Sequence, residues 1–264
     1  MFRPIETLAD ALEQVRWNRD HGAIAVKDYA QDTRRRRHLT ITAARILGLN
    51  VVSESNANPQ MNLTQIMDGV TGIEHSMGLA PLHDDFVKFW GATRAGNTPT
   101  LLVAYNSAMG EGWYHQGSKL WQDPKLTRFI SPKQLMRVRN PTHLWPEDMF
   151  SWKIGEAVRK LYLNGTTVQL GAHGQMFGVD AHWELDLLTR SGFTAAEALE
   201  IATIRGAAYH GLDRDLGSLE VGKLADLLVL DGNPLDDVAN AQKIRWVMKN
   251  GIFHRGTDGE PVDP

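Results

Sequence analysis

Four side chains in this 264-residue sequence, Lys27, Glu54, His75 and His173, are of types that bind metal ions or move protons, and each closes a short apolar run. The runs are Ala23–Val26, Asn50–Ser53, Gly72–Glu74 and Thr167–Gly171; one more, Thr100–Ala104, expected as the fourth strand in chain order, ends at Tyr105. A lone lysine or glutamate after a strand usually opens a solvated loop, and a lone histidine usually satisfies a local hydrogen bond. Five polar residues ending five strands suggest one site instead, because the C-terminal strand ends of a (β/α) barrel converge on one mouth. Imidazole nitrogens and carboxylate oxygens suit Zn²⁺ or a similar divalent ion. With no cysteine in the chain, a thiolate site and a disulfide framework are excluded.

The elements that must position these residues alternate. Apolar spacing at Ile5, Leu8, Leu12 and Val15 predicts a helix ending at Gly22, before the first strand. A second helix is expected over Thr33–Leu47, with Gly48 as its stop, then the strand Asn50–Glu54. Asn62–Gln65 reads as a capping box opening a short helix that ends at Gly69, before Gly72–His75. Helix is expected again from Pro81 to Thr93, from an N-cap at Ser131 with Pro132, over His182–Ser191, and from Thr194 to about His210. Such alternation predicts an α/β fold with a parallel sheet covered by helices. Asp226–Leu230 and Ile244–Met248, separated by an Asn-Pro turn, predict antiparallel strands, so a boundary is placed near residue 212: domains 1–212 and 213–264.

Composition bounds the function. With 42% hydrophobic and 22% charged residues the chain is globular and large enough for a sizeable core. A net charge of -3 gives no reason to expect nucleic acid or an anionic membrane surface. The run Arg34–Arg37 reads as a solvated helix face. No apolar run approaches the roughly 20 residues of a membrane span, and the first residues lack an apolar leader core. As written, the chain is expected to be soluble and unexported, and cytoplasmic if complete.

Leu170–Gln175 (Leu-Gly-Ala-His-Gly-Gln), His182-Trp-Glu-Leu185 and the run Gly217–Leu235 resemble the C-terminal signature of the amidohydrolase superfamily, in the branch often fused to Tricorn or TolB-type propellers. The resemblance implies a partial TIM-type (β/α) barrel, equivalent to strands 4 to 8, followed by a small β-sandwich segment. It implies a divalent metal, zinc above all, and metal-assisted hydrolysis. The ion lowers the pKa of its bound water towards about 7, and hydroxide attacks a carbonyl of an amide-like C–N bond, an ester or a lactone. Lys27 corresponds to the family's carbamylated bridging lysine, expected to be buried; His75 to the sixth-strand ligand; Glu54 stands where the family places a histidine. His173 replaces an aspartate that is ligand and general base, and either role is open to it. His182 would contact substrate or support the ligands, or simply open a helix. The aromatic segment with Tyr105, Trp113, Tyr114, His115 and Trp121 would overhang the mouth and grip an apolar substrate, or else pack the loop.

Gly217–Lys223 has phosphate-loop spacing, but Leu224 replaces the required Ser or Thr and a strand is expected next, so it reads as a turn. The family's His-x-His is absent. The chain is therefore expected to be a fragment of an enzyme, a half-enzyme completed by an N-terminal segment or by self-association, or a noncatalytic subunit. Its expected partners are a small-molecule substrate and another copy or segment, not nucleic acid or membrane.

Overall fold

The computed structural model describes residues 4–29, 33–55, 58–104, 110–137, 143–173, 176 and 178–262. Its first part alternates α1 (Leu8–Asp20), β1 (Ala25–Asp28), α2 (Arg34–Leu47), β2 (Asn50–Glu54), α3 (Pro59–Asp68), β3 (Gly72–Glu74), α4 (Asp84–Gly91) and β4 (Gly96–Thr98). Local chemistry sets these bounds. Thr33 caps α2 by accepting the Arg36 amide, and Gly48 ends it at φ 72°, a left-handed conformation that glycine adopts without a Cβ penalty. The α3 helix opens earlier than the Asn62–Gln65 pattern suggests. Asn58 accepts the amides of Gln60 and Met61 with Pro59 in the first turn, which leaves Asn62 buried inside the helix.

The four strands are parallel and lie in the order β1-β2-β3-β4. Thr100–Ala104 is not the fourth strand. That strand is Gly96–Thr98, and Leu101–Val103 form a single 3-10 turn whose leucines are fully buried. The physical reason is that the Leu101 and Leu102 amides are taken by the Glu184 carboxylate and not by a neighbouring strand. The strand expected at Thr167–Gly171 is reduced to a parallel bridge between Asn97 and Val168. The Leu170 amide leaves the sheet to donate to the Ile201 carbonyl at 3.3 Å.

Helices fill the remainder: α5 (Gly110–Gly117), α6 (Pro124–Phe129), α7 (Pro132–Arg137), α8 (Phe150–Leu163), α9 (Val179–Arg190), α10 (Ala195–Ala202) and α11 (Ile204–Tyr209). One core joins Val51 and Ile73 of the sheet to Ile41, Ala44, Ile66 and Trp90 of the helices over it. A second gathers Leu101, Leu102, Ile154, Val158, Leu187, Leu188 and Ile201. The basic run is not a purely solvated face. Arg37 is 1% exposed and pairs with Asp68 at 2.7 Å, where Arg34 and His38 also converge, locking α2 onto α3.

A separate antiparallel sheet follows, β5 (Leu227–Leu230), β6 (Ile244–Lys249), β7 (Ile252–Arg255) and β8 (Pro261–Val262), in sequence order. Gly217–Lys223 lie in the turn region before β5, so a strand and not a helix follows them. Among the described residues, no helix is long and apolar enough to cross a membrane.

Candidate active site

Parallel strands in register put their last residues side by side. The β1–β2 register pairs Lys27 with Val52, and the β2–β3 register pairs Glu54 with Glu74, so Lys27, Glu54 and His75 come to one rim. There Glu54 is shared: His75 Nε2 lies 2.6 Å from one carboxylate oxygen and Lys27 Nζ 2.6 Å from the other. The His173 ring approaches the His75 ring at a centroid distance of 5.1 Å, although their positions are far apart in sequence. The structure thus brings Lys27, Glu54, His75 and His173 together.

The backbone is bent to achieve this. His75 and His173 have φ of 69° and 68°, and Thr100, a β-branched residue, has φ of 46°. Such conformations cost of order 1–3 kcal/mol each and cluster where function requires them. His75 is held by its amide donating to the Thr98 carbonyl at 2.8 Å and its carbonyl accepting from Asn97 Nδ2 at 3.1 Å. Its Nδ1 lies 2.6 Å from Thr100 Oγ1.

Burial pushes the His75 imidazole below its ordinary pKa, the neighbouring Glu54 partly opposing this and His173 adding to it, so the ring is neutral at neutral pH. With Nε2 donating to the carboxylate, the neutral ring accepts at Nδ1 from the Thr100 hydroxyl. Below the rim, burial raises the Glu74 carboxyl, against a hydrogen bond from Thr98 Oγ1 at 3.1 Å.

Lys27 departs from expectation. Its side chain is 44% exposed, not buried, because among the described residues β1 is the edge strand of its sheet, paired with β2. Among the described residues, no three His, Asp or Glu side chains are grouped as a ready metal cage. The donors nonetheless suit a divalent ion in kind: one carboxylate and two imidazoles, with a lysine that carbamylation would turn into a second carboxylate.

The other expected residues lie elsewhere. Tyr114 stacks on Trp183 at 4.9 Å, and its hydroxyl donates to Asp186 at 2.5 Å. His115 is buried with its ring edge-on to Trp183, and Trp113 is edge-on to Trp152. These rings pack α5 against α9 and α8. His182, in the first turn of α9, lines a separate cavity of about 620 Å³ with Lys125, Phe129, Trp183 and Ile244. Tyr105 lies outside the described residues.

Sequence reasoning missed Thr100 and a set of buried acids. Glu184 is fully buried, with Oε1 accepting from the Leu101 amide at 2.7 Å and Oε2 from the Leu102 amide at 3.1 Å. Burial, only partly offset by these bonds, raises its carboxyl to about 8. Glu111 is also raised to about 8, by burial and then by the charge of Asp180, itself buried. A signal was available: Glu184 falls at helical spacing with Leu187 and Leu188, on the apolar face of α9, where an ionisable residue needs a reason.

Comparison with known proteins shows what this architecture resembles. The model of the amidohydrolase family matches residues 134–253. Over 50 residues, 19% of this chain and 12% of the relative, the sequence is 46% identical to a 5'-deoxyadenosine deaminase of Methanobrevibacter smithii. Over 76 residues, 27% of this chain and 18% of the relative, it is 38% identical to an imidazolonepropionase of Symbiobacterium thermophilum. A solved Xaa-Pro dipeptidase with methionine bound in its active site superposes with a TM-score of 0.68 at 20% identity, over 95% of this chain and 59% of that one. At that identity the likeness is one of fold. The match to the amidohydrolase family model is thus confined to residues 134–253, and the chain spans about three fifths of the length of the solved dipeptidase.

Proposed function

We propose that the chain is the C-terminal part of a metal-dependent amidohydrolase that cleaves a carbonyl-bearing C–N bond, or an ester or lactone, of a small molecule. One observation supports the reading: Lys27, Glu54 and His75 meet at the C-terminal ends of parallel strands with the His173 ring beside His75, both histidines in left-handed backbone. The α/β elements and the antiparallel sheet that follows support a partial (β/α) barrel joined to a β-sandwich segment.

Glu54, His75 and His173 would hold a divalent ion, zinc or one like it, and Lys27 would join them as a carbamate. Bound there, the ion would supply Lewis acidity and an activated water. The chain's own residues supply the rest. Neutral His75 offers Nε2 once Glu54 turns away, and Asn97 and the Thr98 carbonyl fix its backbone. His173, exposed beside it, would either join the ligands or, left free of the ion, take a proton from water and give one to the leaving group.

The deaminase and the imidazolonepropionase that share short segments with this chain have names that point to attack at a C–N bond, which supports the reading. The open edge at β1 and the half-exposed Lys27 support completion by a further segment or a second copy. Those two features, with the lack of a ready metal cage among the described residues, also favour one second reading: a noncatalytic subunit. Elemental analysis of protein purified with zinc and bicarbonate, with hydrolysis of a panel of amides, esters and lactones, separates the two. Bound metal with turnover supports the hydrolase; neither supports the subunit.

A further inference from the structure

We propose that Glu184 is a positioning residue for His75, acting through the turn that carries Thr100. The relation is geometric. Thr100 is β-branched and sits at φ 46°, a conformation such residues resist, yet its hydroxyl must stay there to reach His75 Nδ1 at 2.6 Å. Directly after it, the amides of Leu101 and Leu102 point to one side and both end on Glu184, one on each carboxylate oxygen. A carboxyl group whose two oxygens accept two successive amides fixes the orientation of the peptide plane joining Thr100 to Leu101, and so the torsion of Thr100.

Burial makes the grip stiff. Glu184, Leu101 and Leu102 are all fully buried, and Leu187 and Leu188 of the same helix join those leucines in one core. A fully buried acid is costly to retain where a leucine would pack, so its presence needs a task. Holding a strained turn behind a site residue is such a task.

The Thr100 hydroxyl also suits both states of His75. It donates to Nδ1 when Nε2 carries the proton, and accepts from Nδ1–H when Nε2 is given to an electrophile or a cation. The inference rests on the reading of His75 as a site residue, but its test does not require turnover. Glu184→Gln keeps one good acceptor and turns an N–H₂ towards the second amide, so it loosens the turn without emptying the space.

The test is the Nδ1 resonance of His75 in the ¹⁵N-labelled, metal-free chain. Thr100→Val is expected to move it by deleting the hydroxyl. Glu184→Gln is expected to move it in the same direction, and the double variant no further than Thr100→Val alone. Zinc affinity, read by chelator competition, is expected to fall roughly 10–100-fold in each single variant, again without addition. A His75 resonance unchanged by Glu184→Gln, or additive losses, would overturn the proposal. If the unsubstituted chain takes up no zinc, the metal reading fails and the histidine resonance still decides this one. Should Glu184→Gln not fold, hydrogen exchange of the unsubstituted chain stands in: slow Leu101 and Leu102 amides support the grip, and exchange at the unprotected rate overturns it.

Discussion

Glu54 and His75 meet at 2.6 Å across neighbouring strands, and the second oxygen of the same carboxylate meets Lys27 at 2.6 Å. A carboxylate placed between an imidazole and an ammonium neutralises one and orients the other. It also holds closed a space that two nitrogen donors and a carboxylate could open around a cation. The site described here is that closed cluster, built on β1, β2 and β3.

The grip of α2 on α3 predicts a stability effect remote from the site. Arg37 is 1% exposed and its partner Asp68 has a fully buried side chain. Asp68→Asn leaves the guanidinium buried without a counter-charge, which costs about 3–5 kcal/mol. Denaturant unfolding followed by circular dichroism should show that loss; a loss below about 1 kcal/mol would contradict the packing.

Stability should also depend on pH in two opposed windows. Glu184 and Glu111 have folded pKa values near 8, above the ordinary 4.5, so the folded state prefers them protonated. Their favourable contribution is complete below about 4.5 and is lost as pH rises through 8. For Asp68, burial raises the carboxyl, but the hydrogen bonds from Arg34 and Arg37 outweigh it and hold it below the usual range. Its contribution is present above 3.8 and is lost as pH falls below that. Thermal melts should therefore peak between about pH 4.5 and 6 and decline towards pH 9. Glu184→Gln should flatten the alkaline decline, and an unchanged slope would contradict its assigned burial.

Tyr209 packs directly over Gly72 of β3 and Gly96 of β4. A Cβ on Gly72 would lie 1.6 Å from its hydroxyl, and one on Gly96 would lie 2.7 Å from its ring. Gly72→Ala should cost about 1–3 kcal/mol by overpacking. Adding Tyr209→Leu should recover most of the loss. Equal melting of Gly72→Ala and the unsubstituted chain would show that the ring is free to move aside.

Much of this was legible because β/α units write their own punctuation. Gly48 and Gly69 end helices where left-handed backbone is required, and the strand ends at Glu54 and His75 follow from short apolar runs. The fourth strand was misread because Leu101, Leu102 and Val103 look like a buried strand, and nothing in their own residue types shows that a carboxylate more than eighty positions away claims two of their amides. Arg37 was misread for a similar reason: Asp68, its partner, lies on another helix. The aromatic segment kept its ambiguity in sequence because stacking on substrate and stacking on Trp183 use the same rings.

Metal stoichiometry tests the account most directly. Zinc titrated calorimetrically into the whole chain with bicarbonate present should bind at a defined ratio, and affinity should fall by at least about tenfold in each of Glu54→Gln, His75→Asn and His173→Asn. Binding that is absent, or that survives all three substitutions unchanged, would contradict the claim that these side chains form a metal centre.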